Sequence, residues 1–160
     1  MSYNHLKSNP SGSKLYTRWF GTFRHDLYAV VLERFSVSYI SSYRKYIAQG
    51  PAKQRLREEP ATWEYHCDCF GRDVLASTDS REPGLIKPCP AFWQAPATGI
   101  GSKAAVIIQE GTRWDYRSGT LNFARGEQKS LALAGANPFK AAYNSDSYAY
   151  FAIDAYKEKA

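Results

Sequence analysis

The sequence predicts an α+β domain in which helices pack against a small antiparallel sheet. Three observations carry this. Leu27, Val30, Val31, Phe35, Ile40, Tyr43 and Ile47 recur at roughly helical spacing between Arg24 and Ala48. Short alternating or apolar runs separated by turn residues occupy the middle of the chain and suit strands. Helical patterns then return in the C-terminal third. The chain has 160 residues, 44% of them hydrophobic, with 12 Tyr, 8 Phe and 4 Trp, which is enough for a single core and one domain.

The elements follow in order. Residues 1–13 are polar and read as a disordered lead-in, so the domain spans 14–160. This stretch lacks the basic-then-apolar profile of a secretory signal. The helix from Arg24 runs to Ala48, where Gly50-Pro51 stops it. Lys53 to Glu59 is a charged segment that suits a short helix. Trp63 to Phe70 alternates and is rich in aromatics, as a strand would be. Val74 to Ser77 and Leu85 to Pro88 are strands around the polar turn Asp79-Ser80-Arg81-Glu82-Pro83-Gly84. Ser102 caps a helix reaching about Asp115. Gln128 to Ala134 and Ser145 to Tyr156 are further helices. No apolar run approaches the roughly 20 residues of a membrane span.

The most informative stretch closes the helix after Ser102. Gln109-Glu110-Gly111-Thr112-Arg113 follows the apolar run Ala104-Ala105-Val106-Ile107-Ile108. A zinc protease carries His-Glu-x-x-His at such a place, with two imidazoles one turn apart on the metal and a Glu polarising the attacking water. Here Gln109 and Arg113 stand at the two imidazole positions, and only Glu110 remains.

Other segments give this motif its weight. They are Tyr16-Thr17-Arg18-Trp19-Phe20-Gly21, Cys67-Asp68-Cys69, and Cys89-Pro90-Ala91-Phe92-Trp93-Gln94-Ala95-Pro96. Thr98-Gly99-Ile100-Gly101-Ser102-Lys103, Gly119-Thr120 with Gly126, Asn137-Pro138 and Asn144-Ser145-Asp146-Ser147-Tyr148 complete the set. In this order, from about Leu15 to Phe151, they resemble the aspzincin metallopeptidases, the deuterolysin and lysine-specific metallo-endopeptidase family. The resemblance implies a zincin-like fold with a long N-terminal helix and an active-site-type helix. It implies export from the cell and a Cys69–Cys89 disulfide. Cys67 matches a cysteine whose family partner lies in an N-terminal region that this chain lacks. The missing helix there suggests a piece of a larger polypeptide, or a face covered by another chain. Lys53 to Glu59 looks like an insertion.

The departures from the family pattern decide the expected function. The resemblance puts the third zinc ligand, an Asp, at Asn122, and a transition-state-stabilising Tyr at Arg125. An amide oxygen is a weak zinc ligand, and a guanidinium cannot be deprotonated in a protein. These residues cannot recover the roughly 10–16 kcal/mol of a structural zinc site. The reading is therefore a non-catalytic domain with no metal and no cofactor. Its former cleft, lined by Gln109, Glu110, Arg113, Asn122, Arg125 and Asp146, would contact a protein or peptide as a decoy, inhibitor or toxin-associated module. Asp146 matches the acid that receives a substrate lysine in lysine-specific relatives, and it also suits turn and capping chemistry.

Two alternatives stay open. One is an active endopeptidase or other hydrolase using Glu110 as its base. The other is an interaction domain whose cleft is filled, with Glu110 and Arg113 paired at i, i+3. His5, His25 and His66 show no ligand spacing. The net charge of +6 is scattered among acids, and Lys53-Gln54-Arg55-Leu56-Arg57 runs straight into Glu58-Glu59, which argues against a nucleic-acid surface.

Overall fold

Aromatic side chains decide where the helices meet. The computed structural model describes residues 2–35, 63–79, 81–82, 84–114 and 119–158. Helix α1 (Ser2–Lys7) is followed by α2 (Lys14–Phe20), which starts where the Ser13 hydroxyl accepts a bond from the Tyr16 amide at 3.0 Å. It stops at Gly21, where φ is 79° and a Cβ would lie 2.1 Å from the Ala134 carbonyl oxygen. Only glycine meets both demands. Tyr16, Trp19 and Phe20 of α2 are buried with Leu6, Tyr28, Val31, Tyr148 and Phe151.

The expected disordered lead-in takes a different form over residues 2–7. These residues form α1, because Leu6 is fully buried in the aromatic core and supplies the apolar contact that a free tail would lack. His5 supports it: Nε2 lies 2.9 Å from Ser13 Oγ, and the ring meets Phe151 edge-on. Helix α3 (His25–Phe35) fits the first part of the expected long helix. Its continuation to Ala48, the Gly50-Pro51 stop and the 53–59 segment lie outside the described residues.

Strands β1 (Glu64–Tyr65), β2 (Ala76–Ser77) and β3 (Leu85–Pro88) form a sheet in the order β1-β3-β2. β2 and β3 pair antiparallel, with Ala76 opposite Pro88 and Ser77 opposite Lys87. β1 pairs with β3 in parallel, Glu64 with Leu85 and Tyr65 with Ile86. The sheet is thus mixed rather than wholly antiparallel, because β2 intervenes in the chain and returns it to β3 in β1's direction. β1 is also shorter than the expected 63–70 strand. After the bond from the His66 amide to the Ile86 carbonyl, the chain leaves the sheet for the disulfide between Cys69 and Cys89. A loop of that separation, 20 residues, stabilises the fold by about 3 kcal/mol in the chain-entropy model. Cys67 is exposed with a free thiol.

Helix α4 (Pro90–Gln94) follows the disulfide and was not apparent from periodicity. Helix α5 (Lys103–Gly111) is the one expected after Ser102, whose hydroxyl accepts from the Ala105 amide at 3.1 Å. Its Val106 packs with Ile86, Ala76, Phe92 and Trp114 against the sheet. Its Ala105 packs on the other side against Ala149 and Ile153 of α8 (Ser145–Lys157). Between them lie α6 (Glu127–Ala136) and α7 (Pro138–Ala142). α5 is therefore clamped between sheet and α8, and its C-terminal end faces the loop before α6.

Candidate functional site

The site is built where α5 ends. Gly111 is needed there because a Cβ would come within 2.9 Å of the Trp63 ring, so the helix approaches the sheet closely. Trp63 in turn meets Trp114 edge-on at 4.2 Å, and the Trp114 indole donates to the Thr78 hydroxyl. Thr112 turns the chain. Its hydroxyl donates to the Gln109 carbonyl at 2.9 Å and receives the Thr120 hydroxyl at 2.7 Å. The Thr120 amide bonds the Thr112 carbonyl at 3.0 Å, laying residues 119–126 beside the helix end.

That segment is fixed from the other side by α8. The Leu121 amide donates to the Tyr143 carbonyl and the Ser145 amide to the Leu121 carbonyl, a parallel bridge. Asn144 is fully buried below it. Its Oδ1 accepts the Ala124 amide at 2.9 Å, and its amide group donates to Ser147 and Ser130. A buried amide in this position is satisfied by the loop it holds.

These contacts bring five of the six expected cleft residues into bonded contact. The Arg113 Nη2 donates to Asn122 Oδ1 and to Ser145 Oγ, the latter at 3.2 Å, and the Ser145 hydroxyl donates to the same Asn122 oxygen at 3.0 Å. Arg113 Nη2 also lies 3.7 Å from Glu110 Oε1, forming the expected i, i+3 pair. Asp146 accepts Gln109 Nε2 on one oxygen and the Gly126 amide on the other, both at 2.8 Å. Gly126 caps α6 and Asp146 sits in the first turn of α8, so the N-terminal ends of two helices face this carboxylate. Asp146 is 9% exposed. Arg125 is exposed and makes no ion pair within the described residues, but it is near enough to Glu110 to bear on its charge.

Glu110 is the outlier. It is 4% exposed, and burial raises its pKa to about 7 against the pull of Arg113 and then Arg125, with Asp146 pushing the same way as burial. Its Oε2 and the Arg113 Nε are buried without a hydrogen-bond partner among the described residues. Ser145 and Gly126 complete the network, although neither stood out as a contact in the sequence. The signal for Ser145 was its place beside Asp146 in the Asn144-to-Tyr148 motif. The three histidines stay apart: His5 is half-buried against Phe151, His25 meets Phe23 edge-on, and His66 lies 3.6 Å from Glu64 at the surface.

As a zinc site this donor set does not fit. The Asn122 oxygen receives a guanidinium, the Gln109 amide nitrogen is a donor bound to Asp146, and Arg113 has no lone pair to give. Among the described residues, no cluster of three His, Cys, Asp or Glu has the geometry to hold a metal ion.

The comparisons fit this scaffold. The family model for lysine-specific metallo-endopeptidases matches residues 5–153. A peptidyl-Lys metalloendopeptidase of Armillaria mellea is 32% identical over 151 residues, which is 94% of this chain and 38% of that protein. One from Pleurotus ostreatus is 30% identical over 149 residues, 93% of this chain and 79% of that protein. The chain thus spans well under half of the first relative. A zinc peptidase from Grifola frondosa superposes with a TM-score of 0.75 at 24% identity, covering 96% of this chain and 84% of that one, which establishes the shared fold. With a family match over almost its whole length, this chain belongs to the lysine-specific metallo-endopeptidase family, the aspzincins.

Proposed function

We propose that this domain is a non-catalytic, exported member of its family whose former zinc site is closed into a polar network, and whose partner, a protein or peptide, is met at the rim of the old cleft. The observation that carries the reading is the Arg113 guanidinium resting on Asn122 and Ser145, where the family's ligands would gather around an ion. A permanent cation there opposes a second one electrostatically. The disulfide between Cys69 and Cys89 supports an oxidising compartment. Asp146 supports a closed floor more than an open lysine pocket, since a lysine ammonium would have to displace Gln109 or enter past a nearly buried carboxylate.

The test is metal analysis of the purified protein after zinc exposure, paired with mass spectrometry of a lysine-rich protein incubated with it. Substoichiometric zinc and intact substrate are expected. Stoichiometric zinc with chelator-sensitive cleavage beside lysine would overturn the proposal. One observation favours a second reading. A carboxyl with a pKa near 7 suits general acid–base work, so a hydrolase using Glu110 without the family's metal would reveal itself as peptide cleavage lost in Glu110→Gln.

A further inference from the structure

Three large apolar side chains lie exposed beside the closed site: Leu121 at 58%, Phe123 at 41% and Phe139 at 55%. Scattered single residues of this kind are ordinary on a surface, but these are gathered. The bridge between Leu121 and Asn144 brings the loop against Tyr143, the Phe139 ring lies 5.0 Å from Tyr143, and Lys140 Nζ sits 5.7 Å over the Phe123 ring. Among the described residues the free charge on this loop and on α7 is basic. Arg125 is exposed and unpaired within the described residues, and Lys140 is exposed. The neighbouring acids among the described residues are committed: Glu110 is buried against Arg113, both oxygens of Asp146 are taken, and Glu127 lies 3.5 Å from Arg18.

We infer that this rim binds an acidic peptide segment carrying aromatic or aliphatic side chains, opposite in charge to a lysyl substrate. Its carboxylates meet Arg125 and Lys140, with Arg125 able to take one in bidentate fashion. Its apolar side chains cover Leu121, Phe123 and Phe139, and cations at an apolar patch favour an anionic partner over a cationic one. The inference rests on the closed floor proposed above.

Fluorescence anisotropy with two labelled, end-blocked peptides tests it, one alternating Phe or Leu with Glu and its twin bearing Lys for Glu. The acidic peptide should bind at least about tenfold tighter, a difference of about 1.4 kcal/mol, and weaken with salt. Arg125→Glu should weaken it by about tenfold, and Phe123→Ala and Phe139→Ala each by about threefold or more, with circular dichroism unchanged because all three side chains are exposed. Equal or tighter binding of the Lys twin, no binding of either peptide, indifference to the rim variants, or preferential binding of a single-stranded DNA oligomer would overturn it. The zinc and cleavage assay on the same preparation keeps the two readings apart. Lysyl cleavage sinks the closed site, whereas an uncleaved substrate with no acidic preference sinks only this inference.

Discussion

The aromatic core around α2 and the polar end of α5 solve the same problem, burying a segment of chain, by different means. In the core, Trp19 stacks on Tyr150 at 5.0 Å, Tyr16 and Phe20 meet at 5.3 Å, and Phe20 meets Phe151 at 5.5 Å. These side chains are held chiefly by volume, with the Trp19 indole also donating to Asp154. At the end of α5 each is held by a named partner: Arg113 by Asn122 and Ser145, Asp146 by Gln109 and Gly126. A packed core does not forgive loss of volume, whereas a polar network can be rewritten if its partners change together. That difference sets what each region tolerates: α2 needs its ring volumes, whereas the end of α5 needs matched donors and acceptors.

The sharpest way to break the comparison is to hollow the core. Trp19→Ala removes a 1% exposed ring and leaves Asp154 without its indole donor, and should cost about 3–5 kcal/mol in urea denaturation. A loss near zero would mean that the aromatic cluster does not hold the helices.

Glu110 comes next. Its folded pKa, about 7, lies above the ordinary value of 4.5, so the fold favours the protonated acid. Stability from this group is full below about pH 4.5, falls as pH rises towards 7, and is lower by about 3 kcal/mol above that. Glu110→Gln, which cannot ionise, should therefore gain on the unchanged protein as pH rises from 4 to 8. A constant difference in denaturation midpoint across that range would remove the buried acid from the description.

The smallest effect belongs to the network's outer edge. Asn122 is exposed, so Asn122→Ala should cost only about 0.5–1.5 kcal/mol, a lost hydrogen bond to Arg113, as read by thermal melting. A cost matching that of Trp19→Ala would make the two regions alike after all.

Much of this was legible in the residues. Ser102 as a cap, the strands at 76–77 and 85–88, the helix from Ser145, and the Glu110–Arg113 pair all follow from spacing within a few residues. The Cys69–Cys89 bridge followed from resemblance to the family. What escaped notice depends on distant partners or weak local signals. α1 is too short and polar to announce itself, and the burial of Leu6 with the His5 contacts to Ser13 and Phe151 makes it a helix of the domain. The parallel pairing of β1 depends on which strand the chain meets after β2.

The candidate site divides in the same way. The residue types alone argue that Gln109, Arg113 and Asn122 make a poor ligand set, because donor chemistry belongs to the side chain wherever it lies. Their arrangement was the business of the tertiary structure. Asp146 reaches Gln109 across 37 residues of sequence, and Arg113 reaches Ser145 across 32. Hydrogen bonds of that span form only after packing has brought α5, the 119–126 loop and α8 within about 3 Å of one another, and no local pattern encodes that approach.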